Sequence, residues 1–300
     1  MALHKDKSEL MASHKGKNEP ISIPAAARIS RRALLGGVAA ICPAMMLGSR
    51  AWAEELKGDE LPLRTTGLEH IGMVVPDTEK AARFYSSVFN PEMQKEKDAP
   101  LRYYVMTGTG YIAIGSRATV TESKIDHYCT LVRGYDREHM NSTLAAKGIP
   151  AASRGVVPDP DGIGLQLIAV PGGPGPTAVP GGRLVEGAPL VQPVGFDRIL
   201  LKVADVRRSS DFYSHFFNTA RAPEKGQVAF EAADTRIVLR AIAASESPGV
   251  ERYTMRVAAF DRAKVLKGLA ALGAAPEAKG RAGVVRFRDP NGLGVELESV

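Results

Sequence analysis

The chain repeats itself, and the repetition limits its fold more than any other feature. Gly67 to Asn90 lies over Gly195 to Asn218 without a gap, with nine of 24 positions identical. Asp159 to Val170 lies over Asp289 to Val300 with six identities in 12. Between these, Tyr128 to Gly155 matches Tyr253 to Gly280, each stretch carrying an Asp-Arg pair and a Leu-Ala-Ala-x-Gly helix end. Three collinear matches describe one module written twice, over residues 66–170 and 194–300. The segment 171–193 between the copies holds 12 Gly or Pro in 23 residues and reads as a linker.

Each copy alternates strand and helix. His70–Val75 is a short apolar strand, and Asp77 then caps a helix with Ala81, Phe84, Tyr85 and Val88 on one face. Short strands follow around 101–106 and 111–115. The cycle restarts at His127–Val132, with an Asp136-capped helix that buries Met140 and Leu144 and stops at Gly148 and Pro150. It closes on a hairpin at Asp161-Gly162, matched by Asn291-Gly292 in the second copy. The expected class is α+β, each module a β-α-β-β-β motif written twice.

Charge excludes one class of partner and points to an address. The formal net charge is +6, but residues 1–53 hold eight Lys/Arg against three acids, so the remainder is close to neutral and has no basic run. The electrostatic footprint of a nucleic-acid binder is missing. In that first segment Arg31-Arg32 precedes an apolar run from Ala33 to Leu47, and Ala51-Trp52-Ala53 offers a small-x-small cleavage site. The arrangement resembles a twin-arginine export signal. The run is short for a membrane span and is broken by Pro43. The expectation is a periplasmic or otherwise exported protein, processed near Ala53, with no stable span afterwards. Only Cys129 then remains, so no intramolecular disulfide forms.

The strand order, the Phe-Tyr helix motif and the Asp-Pro-Asp/Asn-Gly hairpin resemble the vicinal oxygen chelate superfamily, which includes glyoxalase I, bleomycin-resistance proteins and extradiol dioxygenases. The resemblance covers about 66–170 and 194–300 and implies two modules, each a cupped sheet with helices outside. It also implies metal ligands on the first, fifth and eighth strands, where this chain has His70, His127 and Gln166. Strand alternation agrees: His70, Gly72 and Val74 share one face, as do His127, Cys129 and Leu131, and Gly164, Gln166 and Ile168.

Two histidines and a carboxylate on one face form the facial triad of non-haem iron(II) enzymes. Gln166 departs from that pattern, supplying a dipole rather than a charge, so a bound ion would be more electrophilic and less tightly held. The alternative is that each histidine simply hydrogen-bonds within a polar pocket. The fourth strand, Tyr111 to Ile114, has no acid, which disfavours a four-ligand glyoxalase set. Cys129, Tyr103 and Tyr111 are read as pocket residues. In the second copy the equivalent positions are Arg198, Arg252 and Glu296; two cations cannot coordinate a metal but can clamp a carboxylate.

The function expected is that of a metal-dependent enzyme, an extradiol-type dioxygenase acting on a small aromatic or oxygen-rich substrate, with iron(II) first and manganese or zinc as other options. The competing readings are a non-catalytic small-molecule binder and a glyoxalase-like lyase or isomerase. The expected partner is a small-molecule substrate, with a homodimer as an option.

Overall fold

The computed structural model describes residues 61–117, 120–150, 153, 155–220 and 226–300. The export segment 1–53, with Arg31 and Arg32, lies outside the described residues.

The first module runs β1 (Thr65–Val74), α1 (Thr78–Val88), β2 (Glu92–Glu96), β3 (Tyr103–Thr107), β4 (Gly110–Gly115), β5 (Lys124–Val132), α2 (Arg137–Ala146), β6 (Val156–Pro158), β7 (Gly164–Ala169) and β8 (Ala178–Arg183). The second runs β9 (Pro193–Val203), α3 (Val206–Tyr213), β10 (Asn218–Thr219), β11 (Gln227–Ala232), β12 (Thr235–Ala241), β13 (Gly249–Val257), α4 (Arg262–Ala271), β14 (Ala275–Pro276), β15 (Val284–Arg288) and β16 (Gly294–Ser299). Each module forms its own eight-stranded sheet, in the orders β6-β7-β5-β1-β4-β3-β2-β8 and β14-β15-β16-β13-β9-β12-β11-β10. The class is α+β.

Aspartates start all four helices of the described residues. Asp77, Asp136, Asp205 and Asp261 each accept backbone N–H groups of the first turn, at 2.8–3.1 Å, which satisfies donors the helix itself leaves open.

The segment 171–193 is more than a linker. Its residues Ala178–Arg183 pair antiparallel with β2 and become the edge of the first sheet. The strand β2 itself, Glu-Met-Gln-Lys-Glu, has almost no apolar alternation and was not placed by the sequence pattern.

The alternation of side chains gives each sheet two unlike faces. On one, Ile71, Met73 and Val75 of the first module and Ile199, Leu201 and Val203 of the second enter a single buried core that runs through both modules. The repeated motifs meet across this core. Tyr85 donates to Asp289 at 2.7 Å, and its counterpart Tyr213 donates to Asp159 at 2.9 Å. Each Phe-Tyr helix of one copy is thus tied to the Asp-Pro hairpin of the other. The hairpin aspartates are also fixed locally: Asp159 accepts from Asp161 and Ile163 N–H, and Asp289 from Asn291 and Leu293 N–H. The opposite face of the first sheet carries the candidate site.

Candidate metal centre

Strand register places the histidines. Across β4, β1, β5 and β7, one row reads Tyr111, His70, Cys129 and Gln166. The next reads Ala113, Gly72, His127 and Gly164. Two glycines therefore flank His127. A Cβ on Gly72 would stand 1.8 Å from His127 Cε1, so the His127 ring lies across β1 in a space only glycine leaves open. It points there toward His70.

The result is a convergence of acceptors. His70 Nε2 stands 2.9 Å from Gln166 Oε1 and 3.4 Å from His127 Nε2. His70 Nδ1 meets Glu69 Oε2 at 2.8 Å, and His127 Nδ1 meets Asp126 Oδ1 at 3.1 Å. A carboxylate accepts, so each Nδ1 carries a ring proton, and in a neutral ring Nε2 then presents a lone pair. Burial pushes His70 below its ordinary value in spite of Glu69, which keeps the ring neutral. Two imidazole lone pairs and an amide oxygen then face one another with no proton between them. A cation at their centre removes the repulsion, and this donor set suits a divalent transition metal. Carboxylates behind both rings supply the orienting contacts that metal-bound histidines usually have.

Glu69 and Asp126 were not anticipated, because strand alternation turns the residue before each histidine to the other face. Two β-bulges reverse this. Leu68 pairs with Thr130 and His70 with Cys129, leaving Glu69 as the extra residue; Gly72 pairs with His127 and Met73 with Ile125, leaving Asp126 extra. The signal available in the sequence was the acid-His dipeptide occurring at both sites. Glu69 is held further by the loop after β7: its second oxygen accepts the Gly173 N–H. Gly172, at φ +75°, lies so close that a Cβ would come within 2.2 Å of that oxygen.

Two of the expected pocket residues lie elsewhere. Tyr103 packs into the main core on the other face; it is Tyr104, opposite Ala113, that shares the face of the site. Cys129 sits in the ligand row but is fully buried, not part of the cavity wall. Its sulfur, a Glu69 oxygen and a His70 nitrogen lie within 4.8 Å of one another, a group that could itself hold an ion. Burial pushes the Cys129 thiol well up, however, and both Glu69 oxygens are engaged, so the open acceptor set is on the Nε2 side. Tyr111 does line the site. Its ring stacks on His70 with centroids 4.5 Å apart, and its hydroxyl donates to the Gly173 carbonyl at 3.2 Å. Burial raises the phenol, so it stays a donor.

These groups open into a cavity of about 830 Å³, walled by Tyr104, Ala113, Ile168, the loop Val170–Gly175, Arg102 and Arg117. Its size is that of small-molecule sites.

The second sheet has the same layout and different chemistry. Arg198, Thr254 and Glu296 form the row equivalent to His70, Cys129 and Gln166. Arg252 replaces His127, and Leu200 fills the place of Gly72. Glu296 is fully buried. It accepts from Arg198 and Arg286, from Thr254 at 3.2 Å, and has Arg252 Nε at 3.8 Å. Burial pushes its carboxyl up, but the Arg286 hydrogen bond and the arginine charges outweigh that and hold it below the ordinary range.

A search of the curated proteins finds no relative that matches this chain. Among solved structures, the fold is similar to catechol 2,3-dioxygenase (16% identity, 79% of this chain and 88% of that one, TM-score 0.58). It is also similar to the Mn(II)-bound glyoxalase from Novosphingobium aromaticivorans (16%, 79% and 82%, 0.56). A third likeness is to homoprotocatechuate 2,3-dioxygenase from Arthrobacter globiformis (12%, 79% and 80%, 0.57). Residues 67–170, the module that carries the histidine pair, match the family model of the Glyoxalase/Bleomycin resistance protein/Dioxygenase superfamily.

Proposed function

We propose that this protein is a metal-dependent enzyme whose ion is held by His70 Nε2, His127 Nε2 and Gln166 Oε1, and that it cleaves a small aromatic ring in the extradiol manner. The observation that carries the reading is that His70 Nε2, His127 Nε2 and Gln166 Oε1 meet on one face while an adjacent acid, Glu69 or Asp126, accepts at each Nδ1. Iron(II) is the ion proposed; manganese and zinc suit the same donors. When bound, the metal supplies Lewis acidity to two neighbouring substrate oxygens and, as iron(II), the redox chemistry for dioxygen.

The chain's own contribution is positioning. Glu69 and Asp126 fix the ring tautomers, and Gly72 lets His127 reach across its neighbour strand. Tyr111 stacks on His70 and bounds one side of the bay, while Tyr104 and Ile168 provide apolar walls that limit water. With three protein ligands, coordination positions stay available for a chelating substrate.

Metal analysis of protein purified without chelators, together with catechol-dependent O₂ uptake, tests the reading. About one equivalent of metal and measurable uptake are expected. Protein that takes up no iron, manganese or zinc would sink it. Gln166 favours a second reading, a binding cup without turnover, since an amide compensates the ion's charge less than a carboxylate does; metal or ligand bound without O₂ uptake would select it.

Export is proposed on Arg31-Arg32 and the apolar run after them. Replacing both arginines with lysine should leave precursor in the cytoplasm, and unchanged export would remove the twin-arginine route.

A further inference from the structure

The segment that joins β7 to β8 reads Val-Pro-Gly-Gly-Pro-Gly-Pro-Thr over residues 170–177. Those two strands stand toward opposite edges of the first sheet, with β5, β1, β4, β3 and β2 between them, so the segment has to cross the sheet. It crosses on the open face. Val170–Gly175 wall the cavity, and Ala178 at the far end packs against Tyr104, Tyr111 and Ala113. Composition sets the shape of this strap. Its prolines fix φ and carry no N–H, while Gly172, Gly173 and Gly175 sit at φ +75°, +102° and +95°, which other residues rarely adopt. Few backbone donors remain, and the one at Gly173 is directed into the site.

Both backbone groups of Gly173 touch side chains that touch His70. The N–H donates to Glu69 Oε1, and the other Glu69 oxygen meets His70 Nδ1 at 2.8 Å. The carbonyl accepts the Tyr111 hydroxyl at 3.2 Å, and the Tyr111 ring stacks on His70 with the planes 21° apart. Glu69, His70 and Tyr111 are all buried. These contacts close a ring that runs from His70 through Glu69, Gly173 and Tyr111 back to His70. The acid holds the imidazole at its edge and the phenol holds it on its face. One residue of the strap fixes both.

We propose that Tyr111 and Gly173 are positioning residues for His70, and that through them the closure of the strap and the hold on the metal are coupled. The metal half of this inference rests on the chelation reading above. An ion on the Nε2 side favours the Nδ1–H tautomer, and that tautomer needs Glu69 where the Gly173 N–H keeps it. By linkage the ion then favours the closed strap as much as the closed strap favours the ion. A bay occupant that lifts the strap would loosen the ion without touching it.

The test uses full-length protein and two readouts besides activity: nitrogen NMR of the His70 ring in metal-free protein, and amide exchange at Gly173 with and without zinc. Wild type should show the Nδ1–H form of His70, and zinc should slow exchange at Gly173 by about tenfold, within the usual range of such couplings. Tyr111→Phe keeps the stacked ring and removes only the hydroxyl. It should bring in the Nε2–H form and weaken zinc about three- to tenfold, the scale of one neutral hydrogen bond. Gly173→Ala should act in the same direction. A Cβ there meets nothing within 4 Å, so its effect comes from the disfavoured φ and not from crowding. Wild-type tautomer and zinc affinity in both variants, or zinc binding that leaves Gly173 exchange unchanged, overturns the inference while the chelation reading stands. If wild type binds no zinc, the chelation reading fails and the coupling with it. The His70 tautomer in metal-free Tyr111→Phe then decides the positioning role alone, and an unchanged tautomer removes it.

Discussion

In the first sheet Glu69 and Asp126 bulge out beside His70 and His127; in the second, Asp197 and Glu251 bulge out at the same positions beside Arg198 and Arg252. Each bulged acid holds the basic residue that follows it: Glu69 and Asp126 take the ring N–H groups, and Asp197 accepts from Arg198 at 2.6 Å as Glu251 does from Arg252. The backbone device is common to both modules, and the residue after the acid decides what the face can do. An imidazole donates its Nδ1–H to the acid and can turn a lone pair inward. A guanidinium has no lone pair to turn and brings its own charge, which falls on Glu296. The second module therefore carries internally the positive charge that, on the proposed reading, the first takes from a bound ion, and Leu200 closes the gap that Gly72 leaves open.

The sharpest way to break this comparison is to remove the basic residues from each site. His70→Ala and His127→Ala should each abolish stoichiometric metal, read by elemental analysis of the purified protein. Arg198→Ala should leave metal content unchanged. Metal that persists in the double histidine variant would move the site away from the first module's cup.

The same arginine variant should instead lose stability. Removing one partner of a buried ion pair costs about 3–5 kcal/mol. Arg286 and Arg252 still hold Glu296, so a loss near the lower end of that range is expected in urea unfolding. The pH dependence has a definite sign. The Glu296 carboxyl is held below its ordinary value near 4.5, so its contribution is fully present above that value and is lost as pH falls through the folded value. Glu296→Gln should flatten the fall in stability below about pH 4.5. An unchanged acid limb would mean the clamp contributes nothing to folding.

How much of this was legible beforehand depended on whether a feature lives in alternation or in its interruption. The histidine pair and Gln166 were picked out by the family resemblance, a period of two agreed on their faces, the repeat carried the positions over to the clamp residues, and register brings them together. The bulges interrupt that period by one residue, so Glu69 and Asp126 read as facing away. Tyr103 and Tyr104 are adjacent, so a choice between them turns on the same one-residue phase, and only the pairing of Tyr104 with Ala113 fixes it. Strands β2 and β8 were hidden for another reason. One is polar and the other rich in Gly and Pro; β2 is held by pairing with β3 on one side, and β8 by pairing with β2 at the sheet edge.

A subtler change tests the shared bulge. Glu69→Gln keeps the volume of the side chain but frees the His70 tautomer, and should weaken metal binding about 10–100-fold, the usual cost of losing such an orienting partner. Competition with a metal-sensing dye measures it. The counterpart Asp197→Asn should leave metal affinity untouched. Equal effects of the two would show that the bulge serves the fold alone.

The smallest effect expected is also the one that tests the asymmetry most directly, because it gives the first sheet the second sheet's acid. Gln166→Glu places a carboxylate where Glu296 stands in the equivalent row. In the second module that acid is matched by arginines; in the first it has only the two imidazoles before it and so gains most from a bound cation. With metal present, the added charge should tighten iron(II) binding, by about tenfold if one charge-assisted contact is gained. Without metal, the same carboxylate faces two lone pairs in a partly buried site, so the apoprotein should be less stable than wild type by about 1–3 kcal/mol. Metal should then raise the melting temperature of the variant more than that of the wild-type protein. Gln166→Leu removes the oxygen and should lose both metal and ring-cleaving activity. Turnover in Gln166→Glu can move either way, because added charge also makes the ion less Lewis-acidic. If metal stabilises wild type and Gln166→Glu equally, Gln166 is not a ligand, and the two histidines hold the ion without it.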